Sequence, residues 1–186
     1  MLQLFRKYSL VIRFVAVFLG SYFLLSVLYN SYLIFSESQT TYFPDIITNL
    51  VSRQSAALIE FLGYAVKMEP HTKEPAMKVF VEGNFLVRVV EGCNSISVII
   101  LFISFILSFF AKMRTTILYI LAGSVLIYTM NLIRIALLTI GIYEYPEYAS
   151  FLHEIVFPLI IYGTVILLWI VWVKVYANIE KNEDQV

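Results

Sequence analysis

Hydrophobic residues gather into four long blocks along the chain, and more polar segments separate them. The blocks cover residues 11–35, 95–111, 115–140 and 151–173. Each block approaches or exceeds the roughly 17–25 residues that an α-helix needs to cross a bilayer. The pattern therefore predicts an all-α membrane protein with about four transmembrane helices, which would place both ends of the chain on one side.

The first block follows Arg6, Lys7 and Arg13, an arrangement that secretory signal peptides share. A signal peptide, however, has an apolar core of roughly 7–15 residues followed by a small-residue cleavage site. The run from Val11 to Phe35 is longer, and we find no such cleavage site after it. We therefore expect this block to be retained as the first span.

Basic residues beside the blocks predict the orientation of the chain. They precede the first block, join the second to the third and follow the fourth; these residues are Arg6, Lys7, Arg13, Lys112, Arg114, Lys174 and Lys181. Because short loops rich in Lys and Arg remain in the cytoplasm, both termini are expected there. The loop 141–150 has no basic residue, which fits the outside, and the outer segment 36–92 is expected on that side too.

The outer segment has its own periodicity. Between Pro44 and Met68, apolar residues recur at helical spacing among polar ones, which predicts a helix lying along the membrane interface. The runs Met77–Val81 and Phe85–Val90 are rich in β-forming residues and flank Glu82-Gly83-Asn84, which predicts a short β-hairpin. The second run leads directly to Cys93.

Composition supports the membrane assignment and limits the partners. The chain has 186 residues, of which 60% are hydrophobic and 14% charged, whereas soluble domains are roughly 45–50% apolar. Thirteen basic residues balance thirteen acidic ones, so no net field attracts nucleic acid. We expect membrane lipid and membrane-bound proteins as partners. No repeat or linker divides residues 1–186, which are interpreted as one domain.

Three residues with useful chemistry converge in this topology. Cys93, the single cysteine, lies where the predicted hairpin enters the second span. Arg134 lies in the third span, about 9 Å before its predicted outer end at Ile140, from where its guanidinium can snorkel outward. His153 opens the fourth span from the same side. Three segments therefore bring a thiol, a guanidinium and an imidazole to one level.

This combination favours acyl transfer. A thiolate is a strong nucleophile, and a nearby imidazole lowers the thiol pKa and carries protons. Arg134 can stabilise an oxyanion or hold a substrate carbonyl or carboxylate. Asn131 shares its helix face and can orient the guanidinium. A single cysteine excludes an intramolecular disulfide and a cysteine-based metal cage, and no motif indicates a cofactor or a metal.

Each of these residues also has a simpler interpretation: Cys93 as packing, Arg134 as snorkelling and His153 as an interfacial polar group. The second histidine, His71, is also interpreted as an interfacial polar group. The main alternative is therefore a non-enzymatic membrane scaffold or assembly subunit of an export system. In it, Arg134 would pair with Glu91, Glu154 or a lipid phosphate. A transporter or metal-handling protein is less favoured, because one cysteine and two histidines supply few soft ligands.

The segments Val90-Glu-Gly-Cys93-Asn-Ser-Ile96 and Asn131-Leu-Ile-Arg134-Ile, followed by His153, resemble the exosortase and archaeosortase group of membrane cysteine transpeptidases. The order Cys, Arg, His and its sidedness both match, most clearly over residues 85–173. The chain looks closest to the exosortase F-type members of Bacteroidetes. Many members have Ser-Gly where this chain has Asn94-Ser95, and Gly often follows the His where this chain has Glu154.

The resemblance implies a multi-pass enzyme of the cell inner membrane, with its active site at the outer, periplasmic face. Its substrates would be exported proteins with a C-terminal sorting signal, composed of a short motif, a transmembrane helix and a basic tail. By the same resemblance, Cys93 is the nucleophile, His153 the proton carrier and Arg134 the transition-state or substrate stabiliser. The acceptor, and the choice between hydrolysis and transfer, stay open. We also hypothesise that the outer hairpin and helix guide the substrate to Cys93.

Overall fold

Long apolar helices dominate the structure, a computed structural model that describes residues 8–37, 44–71 and 74–183. The main helices are α1 (Ser9–Glu37), α2 (Ile46–Phe61), α3 (Ile96–Ser108), α4 (Met113–Glu144) and α5 (Phe157–Glu183). The strands are β1 (Val66–Pro70), β2 (Ala76–Val81) and β3 (Asn84–Val90). They form one antiparallel sheet in the order β1-β2-β3.

Three helical segments of the described residues are long and apolar enough to cross a membrane. They are Ser9–Ser36, Met113–Glu144 and Pro146–Tyr176, and they match the predicted first, third and fourth spans. The predicted span 95–111 corresponds to α3, a shorter helix of 13 residues. At 1.5 Å per residue, α3 is about 20 Å long, against a hydrocarbon core of about 30 Å.

The apolar helices pack through aromatic and small residues. Phe102, Trp172 and Ile127 of α3, α5 and α4 are fully buried against one another. Gly123 lets α3 and α4 approach closely, since a Cβ atom there would lie 2.3 Å from Cζ of Phe102. On the outside of this bundle, large apolar side chains such as Phe23 of α1 remain 72% exposed. Such side chains are suited to lipid rather than water as the solvent.

A second core joins α2, the sheet and the C-terminal part of α4. Its buried residues include Val51, Ile59, Val79, Val89 and Ile135. Strand residues alternate between the two faces of a sheet, and the buried side chains of β2 and β3 face α2 and α4 in this cluster. This core positions the chain that leads into Cys93.

The predicted interfacial helix is shorter than its hydrophobic pattern indicated. Asp45 caps its start by accepting hydrogen bonds from the backbone N–H groups of Ile47 and Thr48. The helix ends at Phe61, and Gly63 then adopts a φ of +99°, a left-handed conformation typical of glycine after a helix. The last part of the predicted helix, to Met68, instead enters β1.

The predicted hairpin is confirmed, but the sheet has a third strand. Glu82 and Gly83 connect β2 and β3 with φ values of 50° and 80°, the two positive values of a type I′ turn. Strand β1 was missed because the segment Val66–Pro70 continues the preceding apolar pattern. Its pairing with β2, from Val66 opposite Val81 to Pro70 opposite Met77, makes it a strand.

Candidate active site

A cavity of about 470 Å³ opens between β3, the C-terminal part of α4 and the segment that precedes α5. Cys93, Arg134 and His153 all line it, so the structure brings together the three residues that the sequence placed at one level. The full lining comprises Leu86, Val87, Arg88, Val89, Val90, Cys93, Arg134, Ile135, Leu138, Thr139, Ile142, Ala149, Ser150, His153 and Glu154.

Cys93 ends a short 3₁₀ turn, Glu91–Cys93, between β3 and α3. Its side chain is partly buried and packs against the core of α2 and the sheet. Because a tight turn joins a strand to a helix here, the thiol is fixed by two rigid elements rather than by a long loop.

Asn94 anchors this turn and was not singled out by the sequence analysis. It is 1% exposed, and its Nδ2 donates to the hydroxyl of Tyr29 at 2.7 Å and to Oγ1 of Thr48 at 3.0 Å. Its Oδ1 accepts from the N–H of Ile96 at 3.0 Å. The side chain thus ties the Cys93 turn to α1 and α2. Its position beside the start of an apolar block was the available signal, because Asn commonly caps helices.

Asn131 connects Arg134 to the Cys93 turn. Its Nδ2 donates to the carbonyl oxygen of Cys93 at 2.7 Å, and its Oδ1 accepts from a terminal guanidinium nitrogen of Arg134 at 3.3 Å. Asn131 is 1% exposed, so these two bonds satisfy an amide that burial would otherwise penalise. The predicted orienting role of Asn131 therefore has a structural basis.

The Arg134 guanidinium keeps a free donor. Its Nε atom is buried and has no hydrogen-bond partner among the residues that the structure describes. Within residues 8–37, 44–71 and 74–183, Arg134 also forms no ion pair, and the pairs with Glu91 and Glu154 expected for a scaffold are not found. The neutral amide of Asn131 therefore holds the Arg134 guanidinium. The positive charge of Arg134 remains available to a ligand in the cavity.

The depth of Arg134 differs from the sequence prediction. Helix α4 continues to Glu144, so Arg134 lies about 15 Å before the helix end, not about 9 Å before an end at Ile140. From Met113 to Arg134, however, the helix rises about 32 Å, which matches the hydrocarbon thickness of about 30 Å. A span that begins at Met113 would therefore end near Arg134, and the part of α4 beyond it packs on the sheet.

His153 lies in a widened helical turn, Leu152–Val156, just before α5. The N–H of Phe157 donates to the carbonyl of Leu152, a π-helical step that frequently marks functional sites. Pro158 gives a reason for it, because proline has no N–H and its ring would clash with the carbonyl of the residue four positions earlier. The side chain of His153 is exposed at the cavity.

The chain matches the model of the transmembrane exosortase family (Exosortase_EpsH) over residues 10–171. The chain belongs to the transmembrane exosortase family. The comparisons with curated proteins and with solved structures gave no match. The match extends from α1 into α5, so it includes the whole cavity, and it confirms the family resemblance stated from the sequence.

Membership and structure together describe this exosortase as a multi-pass membrane protein of a family of protein-sorting transpeptidases. In the part of the chain that the structure describes, no group of three or more His, Cys, Asp or Glu side chains could hold a metal ion. The cavity instead offers a thiol, an imidazole and a guanidinium, the groups used in acyl transfer through a covalent intermediate.

Proposed function

We propose that this exosortase is a membrane cysteine peptidase and transpeptidase that cleaves the C-terminal sorting signals of exported proteins. The observation that carries the proposal is the shared cavity of Cys93, Arg134 and His153, which come from three separate segments of the chain. Asn131 supports the site as a positioning residue through its bonds to the Cys93 carbonyl and to Arg134.

The first half of the reaction cleaves the substrate. The Cys93 thiolate attacks the carbonyl carbon of the scissile peptide bond, and negative charge develops on the carbonyl oxygen. Arg134, which lines the cavity, stabilises this oxyanion with its positive charge. The carbon–nitrogen bond then breaks, and protonated His153 gives its proton to the leaving amine. The exported protein remains bound to Cys93 as a thioester.

The second half releases the exported protein. An acceptor amine or hydroxyl, or water, attacks the thioester carbonyl, and His153 takes the proton of the attacking group. The carbon–sulfur bond breaks and restores the Cys93 thiolate. Attack by an acceptor gives transfer, whereas attack by water gives hydrolysis. The open, exposed position of His153 beside the cavity supports a role in both proton transfers.

The proposed topology has four crossings, with both termini in the cytoplasm and the cavity at the periplasmic face of the inner membrane. The basic residues Lys112 and Arg114, between α3 and α4, favour the cytoplasmic side for that end of the bundle. Helix α3 serves as the second crossing, and local thinning of the bilayer or its flanking residues would compensate for its length. We also propose that the chain is an F-type exosortase, as its sequence resemblance implies.

The test measures processing of exported reporter proteins with candidate C-terminal sorting tails in cells that produce the exosortase. At equal membrane levels, Cys93→Ala should abolish cleavage because no other side chain of the chain is a thiol. Reporter cleavage at the wild-type rate by Cys93→Ala would remove Cys93 as nucleophile and favour the scaffold alternative.

The chain offers matched controls for the other two roles. His153→Ala should stop cleavage, whereas His71→Ala should not, because His71 lies in the connection between β1 and β2 and accepts a bond from the N–H of Glu74. Arg134→Lys should slow cleavage, whereas Arg53→Lys should not. Arg53 also bonds an asparagine one turn away, Asn49, but it is exposed on α2 and outside the cavity.

A further inference from the structure

One strand borders the cavity in an unusual way. Five successive residues of β3, from Leu86 to Val90, all line it. Side chains alternate between the two faces of a strand, but β3 has a bulge at Leu86, where its pairing with β2 shifts register. None of the described residues of β1 or β2 lines the cavity. The cavity therefore lies on the side of β3 away from β2, where the backbone N–H and C=O groups of a sheet edge point outward.

Among the residues that the structure describes, this edge of the sheet is unpaired. In the order β1-β2-β3, strand β3 pairs with β2 alone among them, so its other side is a sheet edge. The opposite edge, β1, carries the ion pair Lys67–Glu69 and ends in Pro70, which are features that protect an edge from further pairing. The lining residues of β3 are apolar except Arg88, whose charge pairs with Glu74.

We propose that the exported substrate binds as an added β-strand along the free edge of β3, through the extended segment that adjoins its membrane helix. This inference rests on the proposed function. Backbone hydrogen bonds would supply affinity, and alternate side chains would supply selectivity. The lined part of β3 is about 16 Å long, so the added segment has about five residues. Its end beside Val90 reaches the turn that carries Cys93, which delivers the scissile bond to the thiol.

Disulfide trapping between enzyme and substrate tests this geometry. The probe is an exported reporter with a C-terminal tail that the wild type cleaves in a Cys93-dependent manner. Cys93→Ala removes the only cysteine of the chain and keeps the reporter uncut. Single cysteines are then introduced on β3, as Val87→Cys, Arg88→Cys and Val90→Cys, and along the reporter tail. Isolated membranes are treated with a mild oxidant.

The expected result is a ladder of cross-links. Opposed residues of paired strands have Cβ atoms about 4.5–5.5 Å apart, near the span of a disulfide. Arg88→Cys and Val90→Cys should therefore cross-link to tail positions two residues apart. Val87→Cys should cross-link to the position next to the partner of Arg88, on the side away from the partner of Val90. Lys67→Cys and Glu69→Cys on the opposite edge serve as controls and should give no cross-link.

A proline scan of the reporter tail gives a second measurement that leaves the enzyme unchanged. Proline lacks an N–H, and an added strand uses the N–H of every second residue. Cleavage by the wild type should therefore fall by up to about tenfold at alternate tail positions. Cleavage without a ladder and without this alternation would overturn the edge proposal and leave the proposed function intact. If no tail is cleaved, the proposed function fails, and so does the inference resting on it.

Discussion

The side-chain amide of Asn131 donates a hydrogen bond to the carbonyl oxygen of Cys93 across 2.7 Å. The two residues are 38 positions apart in the chain, and the bond joins the middle of a long helix to a tight turn. The same amide accepts a bond from Arg134. One neutral side chain therefore sets the relative position of the thiol and the guanidinium.

Replacing Asn131 should lower both the stability of the protein and the cleavage rate of the folded enzyme. Asn131→Ala leaves the Cys93 carbonyl without this donor, which should lower the free energy of unfolding by about 1–3 kcal/mol. Reporter cleavage should fall further than this loss of folded protein explains. The measurements are thermal unfolding in detergent and cleavage per amount of folded enzyme. Asn30→Ala, on an exposed position of α1, is the control, and equal cleavage by both variants would contradict the positioning role.

Gly123 allows the close approach of α3 to α4. A methyl group at this position would meet the ring of Phe102, which is fully buried. Gly123→Ala should therefore destabilise the protein by about 1–3 kcal/mol through overpacking. Gly163→Ala in α5 meets nothing within 4 Å and should be neutral or stabilising. Unfolding in detergent compares the two, and the same effect for both would contradict the close approach.

Ser95 adopts a left-handed backbone conformation, with a φ of 66°, directly before α3. Many members of the family that this chain resembles have glycine at this position. Glycine suits a left-handed conformation that costs most other residues about 1–2 kcal/mol. Ser95→Gly should fold and cleave normally, whereas Ser95→Val should lose about 1–3 kcal/mol of stability. Ser97→Val, at an exposed helical position, is the control. Tolerance of valine at residue 95 would contradict the strained conformation.

The convergence of Cys93, Arg134 and His153 was predictable because counting spans and sides places the ends of helices at a common level. The depth of Arg134 was not, because α4 continues beyond its apolar block and packs on a sheet. Strand β1 was also out of reach, since Val66–Pro70 becomes a strand only through its partner β2. The role of Asn94 depends on Tyr29 and Thr48, two residues distant in the sequence.

Tyr64 should titrate late because of its contact with Glu144. Its hydroxyl donates to the Glu144 carboxylate at 2.9 Å, and this bond and charge raise the pKa of Tyr64 above its ordinary value. The stabilising contribution is thus complete below the ordinary tyrosine pKa and is lost as pH rises through the folded value. The alkaline absorbance titration of the wild type should exceed that of Tyr64→Phe by one tyrosine that titrates late. Glu144→Gln should lower the pKa of Tyr64, and an unchanged titration would contradict this assignment.

Pro158 explains why the helix widens at His153. An alanine at this position restores the N–H and removes the ring, so the helix can continue as a regular α-helix through Leu152–Val156. Loss of the extra residue from the turn would rotate His153 by about 100° around the helix axis. Pro158→Ala should therefore keep or raise the stability of the protein while reporter cleavage falls at least about tenfold.

The matched control is Pro146→Ala, which changes a proline in the connection after α4 and lies outside the widened turn. It should leave His153 in place and cleavage near the wild-type rate. The informative comparison is cleavage against the unfolding temperature for the two variants. A stable Pro158→Ala that cleaves normally would show that His153 reaches the cavity without the widened turn, and that the turn is only an accommodation of proline.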